Sequence, residues 1–335
     1  MRVLVTGAGG FIGATLLALL HERGAVGGQR IARLAAADQR LGGLPAGVEP
    51  LAGDLGAPAL QRAIAAFAPE VVFHLAAVPG GAAEADYALG RRVNLDATLA
   101  LFETLAAQKA THGAERPPVV VYASTIAVYG TPLPAQVGPD TPLHPLLSYG
   151  AHKLACEVVL ADFTRRGVLD GRALRLPGIV ARPRGPSGLI SAFMSELLHA
   201  LAAGEPFTCP VGPEATAWWM SARRCAENLL HAAVMDVSAA DPGRAWPLPV
   251  LRLSIAEVVQ ALAAQYGADR PALVRYAPQP AVEAVFGRYP PLDDRASRAL
   301  GLRDDGTAQA LVRRALGERL DDRGFASTPA IDASP

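Results

Sequence analysis

The stretch Thr6-Gly7-Ala8-Gly9-Gly10-Phe11-Ile12-Gly13 constrains the fold of this chain more than any other. It joins a short apolar run, Arg2–Thr6, to a segment, Phe11–Arg23, whose apolar residues recur with helical spacing. Glycine at such a junction permits a tight turn and lets the helix pack closely on the strand. It also leaves backbone N–H groups open to a pyrophosphate. The spacing Gly7-x-x-Gly10-x-x-Gly13 differs from the commoner G-x-G-x-x-G, but its strand–helix setting is the one a dinucleotide needs. Gly7, Gly10, Phe11, Ile12 and Gly13 are therefore the first candidate contacts for such a ligand.

The chain continues in alternation. Residues 31–37, 71–75, 119–123 and 172–176 read as buried strands, and Pro58–Phe67, 88–107 and 149–166 as helices. This βαβα order predicts an α/β fold of the Rossmann type, a doubly wound parallel sheet covered by helices on both faces. After Pro177 the pattern changes. Residues 177–213 are rich in proline and glycine around a helical patch at 189–201, and 222–235 returns to a helix. Ser254-x-x-Glu257 is a capping box opening a helix over 255–265. A strand is expected over 271–276 and a short helix over 295–300. The expected organisation is a nucleotide-binding domain at 1–177 with a return segment at about 222–253. A smaller interleaved C-terminal substrate lobe takes 178–221 and 254–325, and 326–335 forms a disordered tail.

Composition bounds the function. Lysine plus arginine equals aspartate plus glutamate at 31 each, which argues against nucleic acid or an anionic membrane as partner. No signal peptide is expected, the first strand opening at Arg2, and no apolar run reaches the roughly 20 residues of a membrane span. A cytoplasmic location is expected. Cys156, Cys209 and Cys225 have neither metal-ligand spacing nor the pattern of a disulfide framework, so no metal is expected.

Tyr149-Gly150-Ala151-His152-Lys153 carries the chemistry, in a chain whose only other lysine is Lys109. One helical turn separates tyrosine from lysine, and a nearby ammonium favours the phenolate, suiting Tyr149 to acid/base work. Ser124 and Thr125 end the strand upstream, where a hydroxyl can hold a substrate oxygen. Tyr129 is a competing phenol without a lysine, and reads as structural or as pocket lining. Asp38, after the second strand, can accept hydrogen bonds from a ribose and would repel a 2′-phosphate, which favours NAD over NADP. Asp54, followed by Leu55, can contact an adenine or cap the helix near Pro58. Leu75, Ala76 and Ala77 let a cofactor lie against the backbone at a strand's end. His74 reads as a core histidine rather than a base. Arg182 and Arg184 place two guanidiniums in a stiff loop, suited to a carboxylate, to a diphosphate, or simply to solvent. Trp218 and Trp219 can wall a pocket or pack the lobe.

Taken together, Thr6–Gly13, Asp38, Gly53-Asp54, His74–Ala77, Asn94, Ser124–Gly130, Tyr149–Lys153 and Pro177 resemble the extended short-chain dehydrogenase/reductase family, which includes NAD-dependent sugar epimerases and dehydratases. The resemblance implies NAD as cofactor, with Thr125, Tyr149 and Lys153 as the catalytic set and Ser124 facing the nicotinamide. It implies that Asn94 serves a proton relay or a structural role, that Lys153 also binds the nicotinamide ribose, and that Pro177-Gly178-Ile179 contacts the carboxamide. It further implies a homodimer through paired helices. The segments 76–86, 170–177 and 209–211 and the Trp218-Trp219 region look like the branch that oxidises a small sugar acid, a D-erythronate-like aldonate. Ala123-Ser124-Thr125 and Gly178 depart from that branch's pattern. The expected ligands are then a small hydroxy acid at Thr125, Tyr149, Arg182, Arg184 and Trp218, with a nucleotide-sugar epimerase or dehydratase as the alternative.

Overall fold

A computed structural model of the protein describes residues 1–112, 116–185 and 190–317, so the tail expected at 326–335 lies outside the described residues. Seven strands form one parallel sheet in the spatial order Ala245–Pro247, Asp170–Leu176, Val119–Thr125, Val71–His74, Arg2–Thr6, Arg33–Asp38, Val48–Ala52. The chain therefore starts in the middle and winds to one edge. It then returns past its own first strand and winds to the other edge. The reversal lies between Thr6 and His74, which are paired in register, and it opens a crevice at the carboxyl ends of those two strands.

Why these residues form strands is plain from their burial. Val3, Leu4, Val5, Val72 and Phe73 are fully buried, as expected for strands covered on both faces. On one face Leu16, Leu17 and Leu20 of helix Phe11–Arg23 share a core with Cys225, Ala226 and Leu229 of helix Ala222–Ala232. On the other, Ile64, Leu101, Phe102 and Leu160 come from three further helices. A separate core lies outside the sheet, around Leu197, Leu198, Trp219, Val258 and Leu262. There Gly178–Val180 runs parallel to Thr216–Ser221, and Leu251–Ser254 antiparallel to it. The capping box of Ser254 and Glu257 is fully formed and starts helix Ile255–Tyr266.

Three local expectations are corrected. The second sheet strand is Arg33–Asp38, because Ala25–Val26 and Gln29–Arg30 first close a small hairpin over the left-handed Gly27 and Gly28. The long helix expected over 88–107 is Tyr87–Arg91, a π turn at Arg92–Asp96, and Ala97–His112. The wide turn carries Asn94, whose side chain binds the Val78 backbone. Residues 271–276 divide into a 3₁₀ turn, Arg270–Leu273, and the strand Val274–Tyr276, because Pro271 has no N–H for a ladder. Among the described residues no helix is long and apolar enough to cross a membrane.

Candidate active site

The glycine turn is packed so tightly that side chains are excluded. A Cβ on Gly7 would stand 2.6 Å from the Ala76 backbone nitrogen, and one on Gly13 only 2.0 Å from the Gly7 carbonyl oxygen. Gly9 and Gly10 are exposed, and helix Phe11–Arg23 begins at Gly10 with no side-chain cap. Its first N–H groups are thus open to an anion. Asp38 closes the far side of the turn, its carboxylate accepting the Gly9 N–H at 3.0 Å and the Arg40 N–H at 3.3 Å. An open helix end beside a fixed carboxylate, at the crevice where the strand order reverses, fits a dinucleotide without a 2′-phosphate.

Around this cradle the other expected contacts divide. Leu75 and Ala76 lie next to the turn, bonded through their backbone nitrogens to the Thr6 carbonyl at 3.1 Å and the Thr6 hydroxyl at 3.5 Å. Ala77, half-buried, follows them toward Val78. Asp54 accepts the Gly56 N–H at 2.9 Å and does not cap the next helix, whose N-cap is Ala57. Leu55 belongs to the core under the sheet. Pro177 and Ile179 are buried where the chain leaves the sheet for the lobe. Of the two roles open to Asn94, the structure shows the structural one, a clamp on Val78. Its Oδ1 accepts the Val78 N–H at 2.7 Å and its Nδ2 donates to the Val78 carbonyl at 3.0 Å. His74 is fully buried between the hydroxyls of Thr6 at 2.6 Å and Thr98 at 2.9 Å, and burial lowers its pKa to about 3. It is a neutral core histidine.

Thr125, Tyr149 and Lys153 come together at the carboxyl end of Val119–Thr125. The Thr125 hydroxyl accepts the Ala127 N–H at 3.1 Å, which leaves its own proton for another oxygen, and the Tyr149 phenol is its partner. Tyr149 sits in the first turn of Ser148–Arg165, whose opening N–H on Ser148 is accepted by the Glu84 carboxylate. Lys153 is 2% exposed and donates to the Ala123 carbonyl at 2.8 Å, with its ammonium 5.9 Å from the Tyr149 ring centre. Burial lowers its pKa to about 8. The expected effect of Lys153 on the phenol is corrected. Burial raises the Tyr149 pKa, and what opposes it is the Thr125 hydrogen bond and then the charge of Arg182.

Arg182 is thus placed at the site. Its guanidinium lies 6.0 Å from the Phe11 ring centre and acts on Tyr149, and among the described residues no carboxylate pairs with it. Arg184 is not: it points to Glu205 at 2.6 Å and to Glu196 at 3.6 Å, where it is satisfied on the surface. Trp218 is corrected as well. It is 1% exposed, its indole N–H donates to the Pro290 carbonyl at 2.8 Å, and it packs against Tyr289, so it offers a substrate almost no surface. Ser124 does not face the cofactor side, because its hydroxyl donates to the buried Glu157. Tyr129 is held by Arg175 at 3.2 Å and is structural. Glu84, Glu157 and Arg175 escaped the sequence reading. Glu157 had one signal, its place one turn beyond Lys153.

Comparison with known proteins gives the family. Residues 3–243 match the model of the NAD dependent epimerase/dehydratase family. The chain is 37% identical to D-erythronate dehydrogenase of Cupriavidus necator, over 97% of this chain and 100% of that protein. It is 27% identical to D-erythronate dehydrogenase of Haemophilus influenzae, over 73% of this chain and 76% of that one. Among solved structures, a nucleoside-diphosphate-sugar epimerase from Agrobacterium tumefaciens superposes with a TM-score of 0.89. It is 32% identical, covering 96% of this chain and 94% of the other.

Proposed function

The chain belongs to the NAD dependent epimerase/dehydratase family, and from that premise we propose that it is an NAD-dependent dehydrogenase that oxidises a hydroxyl of a small sugar acid of the D-erythronate type to the keto acid. Arg182 is the observation that carries the reading. A half-buried guanidinium with no carboxylate partner among the described residues, interacting with the phenol that would take the proton, suits a substrate bearing its own carboxylate. The full-length likeness to a protein named D-erythronate dehydrogenase supports the substrate class.

In this reading Tyr149 as phenolate takes the hydroxyl proton, and Thr125 donates to the same oxygen as its charge develops. Lys153 supplies a fixed buried cation beside the Tyr149 ring. NAD, when bound, would supply the hydride acceptor for the carbon that bears this oxygen. Gly7, Gly10 and Gly13 with Asp38 would hold that cofactor, and Leu75 and Ala76 would wall it. The division into a nucleotide-binding part and a substrate lobe is part of the proposal, with Arg182 following Val180 and Ala181 of the second core.

NADH absorbance during incubation with D-erythronate and related aldonates tests the proposal. Silence across the panel overturns the substrate class. The Agrobacterium structure favours a second reading, nucleotide-sugar epimerisation with Arg182 on a diphosphate. Turnover of a nucleotide sugar without net NADH would select it.

A further inference from the structure

Behind Thr125 lies a buried ion pair that this chemistry does not use. The side chains of Glu157 and Arg175 are 4% and 12% exposed. Arg175 Nε meets Glu157 Oε1 and Oε2 at 3.1 and 3.3 Å, and Nη2 meets Oε2 at 2.8 Å. The pair is extended at both ends. Ser124 donates its hydroxyl to Glu157, and Arg175 donates to the Tyr129 hydroxyl at 3.2 Å. Ser124 and Arg175 stand opposite one another on neighbouring parallel strands. Tyr149, Lys153 and Glu157 follow at intervals of one turn on a single face of Ser148–Arg165.

Desolvating two charges is costly, and apolar residues of the same volume usually serve stability as well or better. A stabilising role therefore explains the pair poorly, whereas its position explains it well. We propose that the Glu157–Arg175 pair is a positioning device, tying the strand end Ser124–Thr125 to the helix of Tyr149 and placing beside Lys153 the counter-charge that keeps its ammonium. The groups facing Lys153 are Tyr149, Cys156 and Glu157 on its own helix, Tyr122 with its ring centre 4.7 Å from Nζ, and His74 on the next strand. In the resting site burial pushes Tyr149, Cys156 and Tyr122 toward their neutral forms and leaves His74 unprotonated. Of these groups only Glu157 brings a full negative charge. Arg175 holds that carboxylate in place by a two-pronged contact that lysine could not reproduce in full.

The inference rests on the reading that Tyr149 and Lys153 do the chemistry, so its decisive test needs no substrate. Lys109 and Lys153 are the only lysines in the chain, and carbon-13 lysine labelling gives one ε-carbon signal for each, assigned with Lys153→Met. The Lys153 signal should titrate near 8 in the native protein and about one pH unit lower in Glu157→Gln, with Lys109 unmoved. Arg175→Lys, which retains a cation for Glu157, should keep the native midpoint. A native midpoint in Glu157→Gln overturns the proposal. Should that variant fail to fold around an unpaired guanidinium, the double variant Glu157→Gln/Arg175→Met takes the same measurement with the same two outcomes. With whichever substrate proves active, the alkaline limb of kcat should move down by the same amount while KM changes little. A loss of kcat uniform in pH would overturn it. Failure of every aldonate as substrate leaves the titration readable, so the two readings fail separately.

Discussion

Tyr149 has two partners that work against its burial, Thr125 and Arg182, and the second is the more informative. Phenylalanine in place of Tyr149 should lower turnover by roughly 10² to 10⁴ while NAD binding stays near native by titration, since only the proton acceptor is lost. Near-native activity in that variant would remove Tyr149 from the mechanism. Arg182 should show two effects together. Without its charge the phenol is harder to ionise, so in Arg182→Gln the acid limb of kcat/KM should move to higher pH. The Michaelis constant for the acid should also rise roughly ten- to a hundredfold, as expected for loss of a charge-assisted bidentate pair. Lysine there should restore the pH limb better than the affinity, because a point charge acts on the phenol but lacks the planar fork. An unmoved limb would separate Arg182 from Tyr149.

At the scale of elements, the strand–turn–helix unit and the end of Arg33–Asp38 make one surface. The Asp38 carboxylate is held by the Gly9 N–H, so its charge is fixed at the rim of the open helix end rather than free to swing away. NAD should be preferred over NADP by at least about tenfold in kcat/KM, near 1.4 kcal/mol, and Asp38→Ser should narrow that ratio. Equal use of both cofactors by the native enzyme would show that this carboxylate does not meet the ribose. Asn94 works at the same scale. Its clamp on Val78 reaches the backbone that runs from the cofactor crevice to helix Gly80–Ala85, where a Cβ on Gly80 would stand 3.7 Å from the Tyr149 ring.

For the whole molecule, the buried His74 links stability to acid. Its folded pKa is about 3 against an ordinary 6.5, so the unfolded chain takes the proton first as pH falls. Its contribution is whole above pH 6.5 and is lost progressively toward pH 3, by up to about 1.4 kcal/mol per pH unit. Chemical denaturation should show His74→Leu less stable at pH 7 but with a shallower fall over that window; parallel curves would exclude His74 as the titrating group. Assembly is the other whole-molecule property. Tyr87 and Val158 remain 58% and 64% exposed, on the two helical segments that flank the Tyr87–His152 ring contact. Light scattering should report a homodimer, twice 34.8 kDa, and Val158→Glu should shift it toward monomer. A monomeric mass for the native chain at micromolar concentration would contradict this.

Much of the nucleotide-binding half is readable along the chain, because its information is local. Apolar runs mark strands buried on both faces, glycines mark a turn where a Cβ would collide, and Tyr149 and Lys153 sit one helical turn apart whatever surrounds them. What the tertiary structure alone decided concerns polar side chains, whose fate depends on partners distant in sequence. Arg182 and Arg184 are equivalent as residues two apart in one loop. The helix bearing Glu196 and the turn at Glu205 draw the second to the surface, and the first is left facing Phe11 and Tyr149. Ser124 is turned from the cofactor by Glu157, which stands 33 residues on and is itself held by an arginine of the adjacent strand. Trp218 vanished into the lobe because Pro290, 72 residues away, takes its N–H. A desolvated polar group must find a partner, and which partner it finds is settled by the packing of whole elements rather than by its neighbours in the chain.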